Sequence, residues 1–208
     1  MDRLNKKGVK VPLINGLPQF ILFSGKFGSG KDTFGTIRLK DFLEGRLCQL
    51  KYLKFADSLK HCCAALLMMP IADMYSTAGK GVYIEELSRT VGTIQQDVGV
   101  ALRKEIHADI FLMPVHRERA LDLQGGRISI VTDCRFPNEA IRSQEIGGII
   151  IRLNRREDLI DERFVAGRDR QHISETALDN YPDFDLVVDN NGTIEEAWVQ
   201  IERFLLGL

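Results

Sequence analysis

The stretch GKFGSGKDTFG, residues 25–35, has the residue types and the spacing of a phosphate-binding loop. Gly25, Gly30 and Lys31 match the pattern G-x-x-x-x-G-K, in which backbone N–H groups surround phosphate oxygens and the Lys adds a positive charge. An apolar segment, FILF, precedes the loop and a helical pattern follows it, so the positive end of that helix would face the same anion. We therefore predict a nucleotide-phosphate site, and not a glycine-rich turn with a surface Lys. The residues predicted to contact the nucleotide in this loop are Gly25, Lys26, Gly28, Ser29, Gly30, Lys31, Asp32 and Thr33.

The loop departs from the pattern at the position after the Lys. Asp32 stands where a Ser or Thr would hold Mg²⁺ beside the phosphates, and a carboxylate there would be repelled by a triphosphate. Thr33 supplies a hydroxyl from the same first turn of the helix. The resulting form, G-x-x-G-x-G-K-x-T, is similar to the loop of adenylate kinases. We predict that Thr33 lies near Mg²⁺.

A second candidate carboxylate ends the apolar segment ISIVTD. Asp133 follows the mainly apolar residues Ile-Ser-Ile-Val and a Thr, the pattern of a strand whose acid holds a metal ion through water next to a P-loop. Arg135 comes two residues later, at the sheet edge where ligands bind in open α/β folds. A planar guanidinium beside a phosphate site is suited to hold an anion. We predict Asp133 as a metal-side residue and Arg135 as an anion clamp; a turn or cap residue and a surface cation are the alternatives.

Further candidates come from three other segments. Asp57 ends the segment LKYLKFAD at the same sheet edge, and it could serve the substrate, cap the next helix, or do both. In TIQQDVGVALRKEIHADIF, Gln96 and Arg103 share a helix face with Gly99, and we predict that this face binds a second substrate instead of being merely solvated. The charged segment 152–170 begins with Arg152, and within it Arg155 and Arg156 are the candidates for stabilising a transferring phosphoryl group. The other arginines there are predicted to be salt-bridged at the surface, His172 to anchor a loop, and Ser174 to cap the helix ETALDN.

Short apolar runs alternate with helix-length segments along the chain. The runs at 19–25, 50–57, 127–133, 148–153 and 185–190 are rich in Ile, Val, Leu and Phe, which is typical of strands covered on both faces. We predict an α/β fold of the P-loop class, with three layers and a five-stranded parallel sheet. The predicted organisation is an N-terminal tail over 1–18 and one domain over 19–208. That domain includes a helical acceptor-binding insert at about 58–126 and a lid at about 154–172.

The composition of the chain indicates which classes of partner it is suited to bind. The 208 residues carry a formal net charge of -1 and 44% hydrophobic residues, so no overall positive field favours nucleic acid or anionic lipid. No run of about 18 apolar residues suggests a membrane span. Cys48, Cys62, Cys63 and Cys134 include no C-x-x-C pair, and we predict buried reduced thiols. These features favour the cytoplasm, or the host cytoplasm if the source is viral, with no nucleic-acid or membrane partner.

Several motifs occur together and in a specific order: GKFGSGKDT, FADSLK, QQDVGVALR, VTDCRFPNEA, GGIIIRLNR, HISET and FDLVVDNNGTIEE. From about residue 20 to 200 the chain resembles the phage-type deoxynucleoside monophosphate kinases. Animal-type phosphomevalonate kinases and dephospho-CoA kinases share parts of the pattern. The resemblance implies transfer of the γ-phosphoryl group of ATP, with Mg²⁺, to a dNMP acceptor by a homodimer.

Carried over residue by residue, the resemblance implies ATP and metal at residues 25–33 and adenine beside DNNGT (189–193). The latter adds Asn190 and Gly192 to the cofactor-binding set. Residues implied around the acceptor are Asp57, Arg103, Asp133 and Arg135. Arg155 would belong to the lid.

Family members usually read Leu-Gln and Gly-Thr in the insert helix, where this chain has Gln95-Gln96 and Gly99-Val100, so the base preference stays open. Two other functions also remain open. One is a kinase of another small phosphorylated acceptor such as phosphomevalonate, and the other is a non-catalytic ATP-binding switch.

Overall fold

The structure, a computed structural model, describes residues 2–44, 46, 48–160 and 171–208. The chain divides into two compact units. The first consists of Met1–Lys54 with His116–Leu208, and the second of Phe55–Val115.

A parallel sheet forms the centre of the first unit. Its strands are β1 (Phe20–Ser24), β2 (Gln49–Leu53), β3 (Arg127–Cys134), β4 (Ile149–Asn154) and β5 (Leu186–Asp189). They lie in the order β2-β3-β1-β4-β5, and every neighbouring pair is parallel. All five residues of β1 are buried, because it is the central strand and both of its faces are covered. The predicted five-stranded parallel sheet is confirmed, and it brings the carboxyl ends of all the strands to one edge.

Helices cover both faces of this sheet. On one face, residues of α1 (Leu39–Leu43) and α9 (Ile194–Leu206) share a core with alternate residues of β1 and β4. On the other lie α6 (Leu112–Gln124) and α7 (Pro137–Glu145). There the Ser129 hydroxyl of β3 donates to Asp122 of α6 at 2.8 Å. The predicted three-layer α/β/α architecture is therefore confirmed.

The helix after the loop differs from a regular α-helix. Its first part, Thr33–Arg38, is a π-helix, and it continues as α1. A Cβ on Gly35 would lie 2.6 Å from Thr132 Cγ2, so glycine lets the helix lie directly against β3. The periodicity of the sequence correctly predicted a helix here but not its wider turn, a feature that is frequent at functional sites.

Residues 2–18, the predicted tail, are packed against the first unit. Leu13–Ile14 and Leu17–Pro18 form a short antiparallel hairpin. The Asn5 side chain is buried and donates to Gln144 O at 2.8 Å. Backbone acceptors thus hold this segment in place.

The second unit is mainly helical. It contains α2 (Asp57–Leu66), α3 (Ile71–Tyr75), α4 (Thr77–Gly81), α5 (Val91–Glu105), a hairpin of Tyr83–Ile84 with Arg89–Thr90, and a 3₁₀ turn at Glu85–Leu87. The Thr90 side chain caps α5 by accepting from Thr93 N. A Cβ on Gly99 would lie 3.0 Å from Leu59 Cδ2, so glycine allows α5 to approach α2 closely. The role of this region as an acceptor-binding insert remains a prediction.

The cysteines are free thiols, but they are not uniformly buried. Cys63 and Cys134 are buried as predicted, whereas the prediction is wrong for Cys62, which is exposed, and for Cys48, which is half-buried. Burial raises the pKa of the Cys63 thiol to about 11. No helix in the described ranges is long and apolar enough to cross a membrane.

Candidate functional site

The glycine loop leaves the carboxyl end of β1 at Ser24. Gly28 and Gly30 have φ angles of 75° and 95°, which side chains with a Cβ rarely adopt. A Cβ on Gly30 would also lie 2.9 Å from Asn190 Nδ2. Asn190, just after β5, donates from that nitrogen to Ser29 O at 2.9 Å. The glycines therefore permit both the turns of the loop and its close approach to the end of β5.

Lys31 is buried within this loop, with only 8% of its surface exposed. Its ammonium donates to Gly25 O and Lys26 O, both at 2.7 Å. Burial, followed by the Arg135 guanidinium, lowers the Lys31 pKa to about 7, and Glu175 partly offsets this. The positive charge of Lys31 is thus costly in the protein alone and would be favoured by an added anion.

Asp32 contacts the neighbouring strand. Its Oδ1 accepts from Thr132 Oγ1 at 2.9 Å, across 100 residues of sequence. This bond ties the start of the helix to the end of β3, and Asp133 is the next residue on that strand. Thr33 and Asp133 are both half-buried. The structure gives Asp32 a bond within the protein, which explains how a carboxylate is tolerated at this position.

The donor set suits an ion that is held mainly by a nucleotide. Mg²⁺ is usually bound through one or two protein oxygens, with phosphates and waters completing the shell. Thr33 and Asp133 offer a hydroxyl and a carboxylate, both hard oxygen ligands. Among the residues described, no group of three or more His, Cys, Asp or Glu could form an all-protein metal site. The residues present therefore fit Mg²⁺ delivered with phosphate.

Arg135 is held beside the loop by a short helix, α8 (Ile173–Thr176). Its Nη1 donates to Ser174 O at 3.2 Å and also to Glu175 Oε1. The other oxygen of Glu175 accepts from the Phe27 backbone N–H of the loop, at 2.8 Å. Sequence reasoning missed Glu175, although its place in the HISET motif was a signal.

The N-terminus of α8 corrects another prediction. Ser174 was expected to cap the helix, but the N-cap is His172, whose Nδ1 accepts from Ser174 N at 3.2 Å. Imidazole thus takes the part usually played by a hydroxyl or carboxylate. The role of His172 as a loop anchor remains a prediction.

Arg152 forms a second ionic cluster beside the loop. The predicted salt bridge of Arg152 is present, but the predicted surface position is wrong, because Arg152 lies on β4 and is only 7% exposed. Its guanidinium donates to Asp179 Oδ1 at 2.9 Å and Ser24 Oγ at 3.2 Å. Asp179 also pairs with Lys26 of the loop, at 3.2 Å. Because β4 is an inner strand of the sheet and is covered by other parts of the protein, a residue at this position is buried.

Arg155 and Arg156 follow β4 at the same edge of the sheet. Arg155 Nη2 donates to Leu159 O at 3.2 Å, and the Arg156 backbone N–H donates to Asn191 Oδ1 at 2.7 Å. Both arginines line a cavity of about 480 Å³ together with Lys26 and Asn191. The remainder of the predicted lid, residues 161–170 with its other arginines, lies outside the described residues.

Asn190 and Gly192 lie between β5 and α9. Asn190 is 1% exposed, and its Oδ1 has no hydrogen-bond partner within the described ranges. A Cβ on Gly192 would lie 2.1 Å from Glu196 Oε2, the carboxylate that accepts from Thr193 N in the capping box of α9. A side chain at position 192 would therefore have to displace the Glu196 carboxylate from its place in the helix cap.

Three candidates lie in the second unit. Asp57 Oδ1 accepts from the Tyr75 hydroxyl at 2.7 Å, and it is not the cap of α2, whose N-cap is Ala56. Arg103 lies over the Phe111 ring, 4.6 Å from its centroid, and donates from Nη1 to Gly99 O. Gln96 is half-buried on the same helix. Gly99 and Arg103 thus share a face of α5 as predicted, while binding of a substrate there remains a prediction.

Comparison with known proteins decides the family. No protein-family model matches the chain. The sequence is 31% identical over 192 residues to a protein of Acanthamoeba polyphaga mimivirus named "Putative deoxynucleotide monophosphate kinase", covering 86% of this chain and 92% of that protein. This chain belongs to the deoxynucleotide monophosphate kinase family. The resemblance predicted from the motifs is confirmed, and the name of the relative indicates a kinase-type function.

Proposed function

We propose that the protein transfers the γ-phosphoryl group of ATP to the 5′-phosphate of a dNMP, giving a dNDP and ADP. The observation that carries this proposal is the gathering of cations from distant segments around one glycine loop. The positive charges of Arg135 and Arg152 both lower the pKa of Lys31. A surplus of buried positive charge is costly unless an anion joins it. A phosphate-rich substrate supplies that anion.

In this proposal the loop holds the donor. Backbone N–H groups of residues 25–33 and the Lys31 ammonium bind the β- and γ-phosphates, and Asn190 and Gly192 border the base. Arg155 and Arg156 flank the same edge, where they would bind phosphate oxygens as negative charge spreads over the transferring group. Bound Mg²⁺ would neutralise phosphate charge, with Thr33 and Asp133 as its protein ligands.

The acceptor phosphate is proposed to bind to Arg135, and Asp57, Gln96 and Arg103 are further proposed acceptor-binding residues. Within the described residues, the side-chain bonds of Arg135 use Nη1, so Nε and Nη2 can donate to a phosphate as a fork. The acceptor carries its own nucleophilic oxygen, so catalysis needs positioning and charge stabilisation and no nucleophilic side chain. Water must be excluded during transfer, or ATP would be hydrolysed.

An acceptor panel tests the proposal. The four common dNMPs and phosphomevalonate are each mixed with MgATP, and ADP release is followed. We expect turnover with at least one dNMP, and a loss of about 100- to 1,000-fold in Lys31→Met, because one positioned charge at a transition state is worth that much. Lys51→Met is the matched control, since that side chain lies in an exposed pair with Glu118.

The other results identify the alternatives. Activity confined to phosphomevalonate would replace the dNMP by a non-nucleotide acceptor. Saturable ATP binding without turnover of any acceptor would favour a nucleotide-dependent switch. Near-wild-type turnover by Lys31→Met would refute the role proposed for the loop.

We also propose, from the family resemblance, that the enzyme is a homodimer without a nucleic-acid partner. Several large apolar side chains of the second unit are exposed, among them Met68 at 93% and Leu66 at 68%. Burial of such residues is a common source of association energy. Sedimentation equilibrium should give twice the chain mass of 23.5 kDa. A monomer at micromolar concentration would contradict the dimer.

A further inference from the structure

Glu175 is a carboxylate that joins the glycine loop to Arg135 in the proposed phosphate site. Its Oε2 accepts from the Phe27 N–H of the glycine loop at 2.8 Å, and its Oε1 accepts from Arg135 Nη1. The side chain of Glu175 is only 12% exposed and that of Arg135 is 22% exposed, so both bonds are shielded from water. Such charge-assisted bonds are stronger than neutral ones.

The anchoring leaves the ligand-binding capacity of Arg135 intact. Ser174 O also accepts from Nη1, so the part of the chain that the structure describes fixes the guanidinium through this one nitrogen. Nε and Nη2 take no part in these bonds and form the side of the fork available to a phosphate. The backbone N–H groups of Arg135 and Phe136 donate to Glu139, which fixes the start of the side chain as well.

We infer that Glu175 is a positioning residue that sets the mutual geometry of the glycine loop and Arg135 for phosphoryl transfer. This inference rests on the proposed function. The donor phosphates lie on the loop and the acceptor phosphate on Arg135, so one carboxylate bound to both fixes the distance between the reacting groups. Misplacement of reacting groups by about 1 Å can cost about 100-fold in rate.

A second carboxylate supports the same arrangement from the same segment. Asp179 pairs with Lys26, the residue before Phe27, at 3.2 Å. Residues 175–179 therefore hold two consecutive residues of the loop. Asp179 does not contact Arg135 among the described residues, so only Glu175 connects the loop to that guanidinium.

Glu175→Gln is the decisive variant because it keeps the size of the side chain. A carboxylate accepts bonds on both oxygens, whereas an amide has one accepting oxygen and a donating NH₂. Gln would therefore serve either Phe27 N–H or Arg135 and turn a donor towards the other. We expect kcat with MgATP and a dNMP to fall about 10- to 100-fold, the usual effect of losing a partner that orients binding residues.

A comparison of kcat with KM separates positioning from mere loss of structure. Glu175→Gln should lower kcat more than it raises the KM for ATP, because the loop and Lys31 still bind the phosphates while Arg135 is misplaced. Glu175→Asp retains a carboxylate with two accepting oxygens, so it should recover part of the kcat lost in Glu175→Gln. Glu145→Gln, which removes an exposed pair with Arg142, should leave both quantities unchanged.

The outcomes also distinguish this inference from the proposed function. Titration calorimetry with Mg²⁺ and a non-hydrolysable ATP analogue provides a readout that needs no turnover. If the wild type binds the analogue but phosphorylates no dNMP, the proposed function fails, while weaker analogue binding by Glu175→Gln than by the wild type still supports the contact with the loop. Wild-type kcat in Glu175→Gln, or equal losses of kcat in Glu175→Gln and Glu175→Asp, would overturn the inference, as would no nucleotide binding by the wild type.

Discussion

The affinity for nucleotide phosphates should depend on pH through Lys31. Burial holds the pKa of Lys31 at about 7 in the protein alone. A bound polyanion beside the ammonium keeps it protonated, so the bound pKa lies far higher. Above pH 7, binding must therefore include the uptake of a proton.

The size of the effect follows from that pKa. If only the ammonium form binds, the apparent dissociation constant scales with 1 + 10^(pH − pKa). From pH 6 to pH 9 it should rise about 100-fold, at nearly tenfold per unit above pH 8, and each tenfold step equals about 1.4 kcal/mol. The unperturbed pKa of a Lys, about 10.4, would give almost no change over the same range.

Calorimetric titration with Mg²⁺ and a non-hydrolysable ATP analogue measures this dependence. Lys31→Met removes the titrating group at similar length, so its affinity should be weaker at pH 6 and fall much less at higher pH. The ratio of the variant and wild-type constants cancels the titration of the analogue itself. Lys51→Met should follow the wild type, because Lys51 is paired at the surface with Glu118. Parallel curves for Lys31→Met and the wild type would refute this account of Lys31.

Three further outcomes follow from the same contacts. Because the pKa of Lys31 is lower in the folded protein than in the unfolded chain, the stability of the wild type increases with pH above about 7. The unfolding free energy of Lys31→Met relative to the wild type should therefore fall by about 2 kcal/mol from pH 7 to pH 9. Urea denaturation at each pH measures this difference, and a difference that stays constant would contradict the prediction. Gly30→Ala should weaken analogue binding at least about tenfold and lower the unfolding free energy by over about 1 kcal/mol. Gly126 also has a positive φ but lies beside open space, so Gly126→Ala should lower the unfolding free energy by about 1 kcal/mol and leave binding unchanged. Equal effects of the two variants on binding would argue against the close approach at Gly30. Asp179→Asn should lower stability by about 1–3 kcal/mol, because it leaves the buried Arg152 without its carboxylate; an unchanged urea midpoint would show that Ser24 and Asn154 suffice as partners.

The sequence alone determined the features that depend on local chain properties. The glycine spacing at 25–30 specifies turns that only glycine adopts readily, and all three of those glycines have positive φ. The five apolar runs predicted the five strands, because strands covered on both faces need continuous apolar segments. The motif order predicted the family, which the mimivirus relative supports.

The tertiary structure decided which distant residues meet. Asp32 bonds to Thr132, Phe27 to Glu175, and Arg152 is buried, and no local pattern contains these facts. They follow from the strand order β2-β3-β1-β4-β5, which places the ends of three strands around one loop. Hydrophobic periodicity specifies that a segment is a strand but not which strand lies beside it. The lowered pKa of Lys31 likewise arises from burial and from charges far away in sequence, so it exists only in the folded chain.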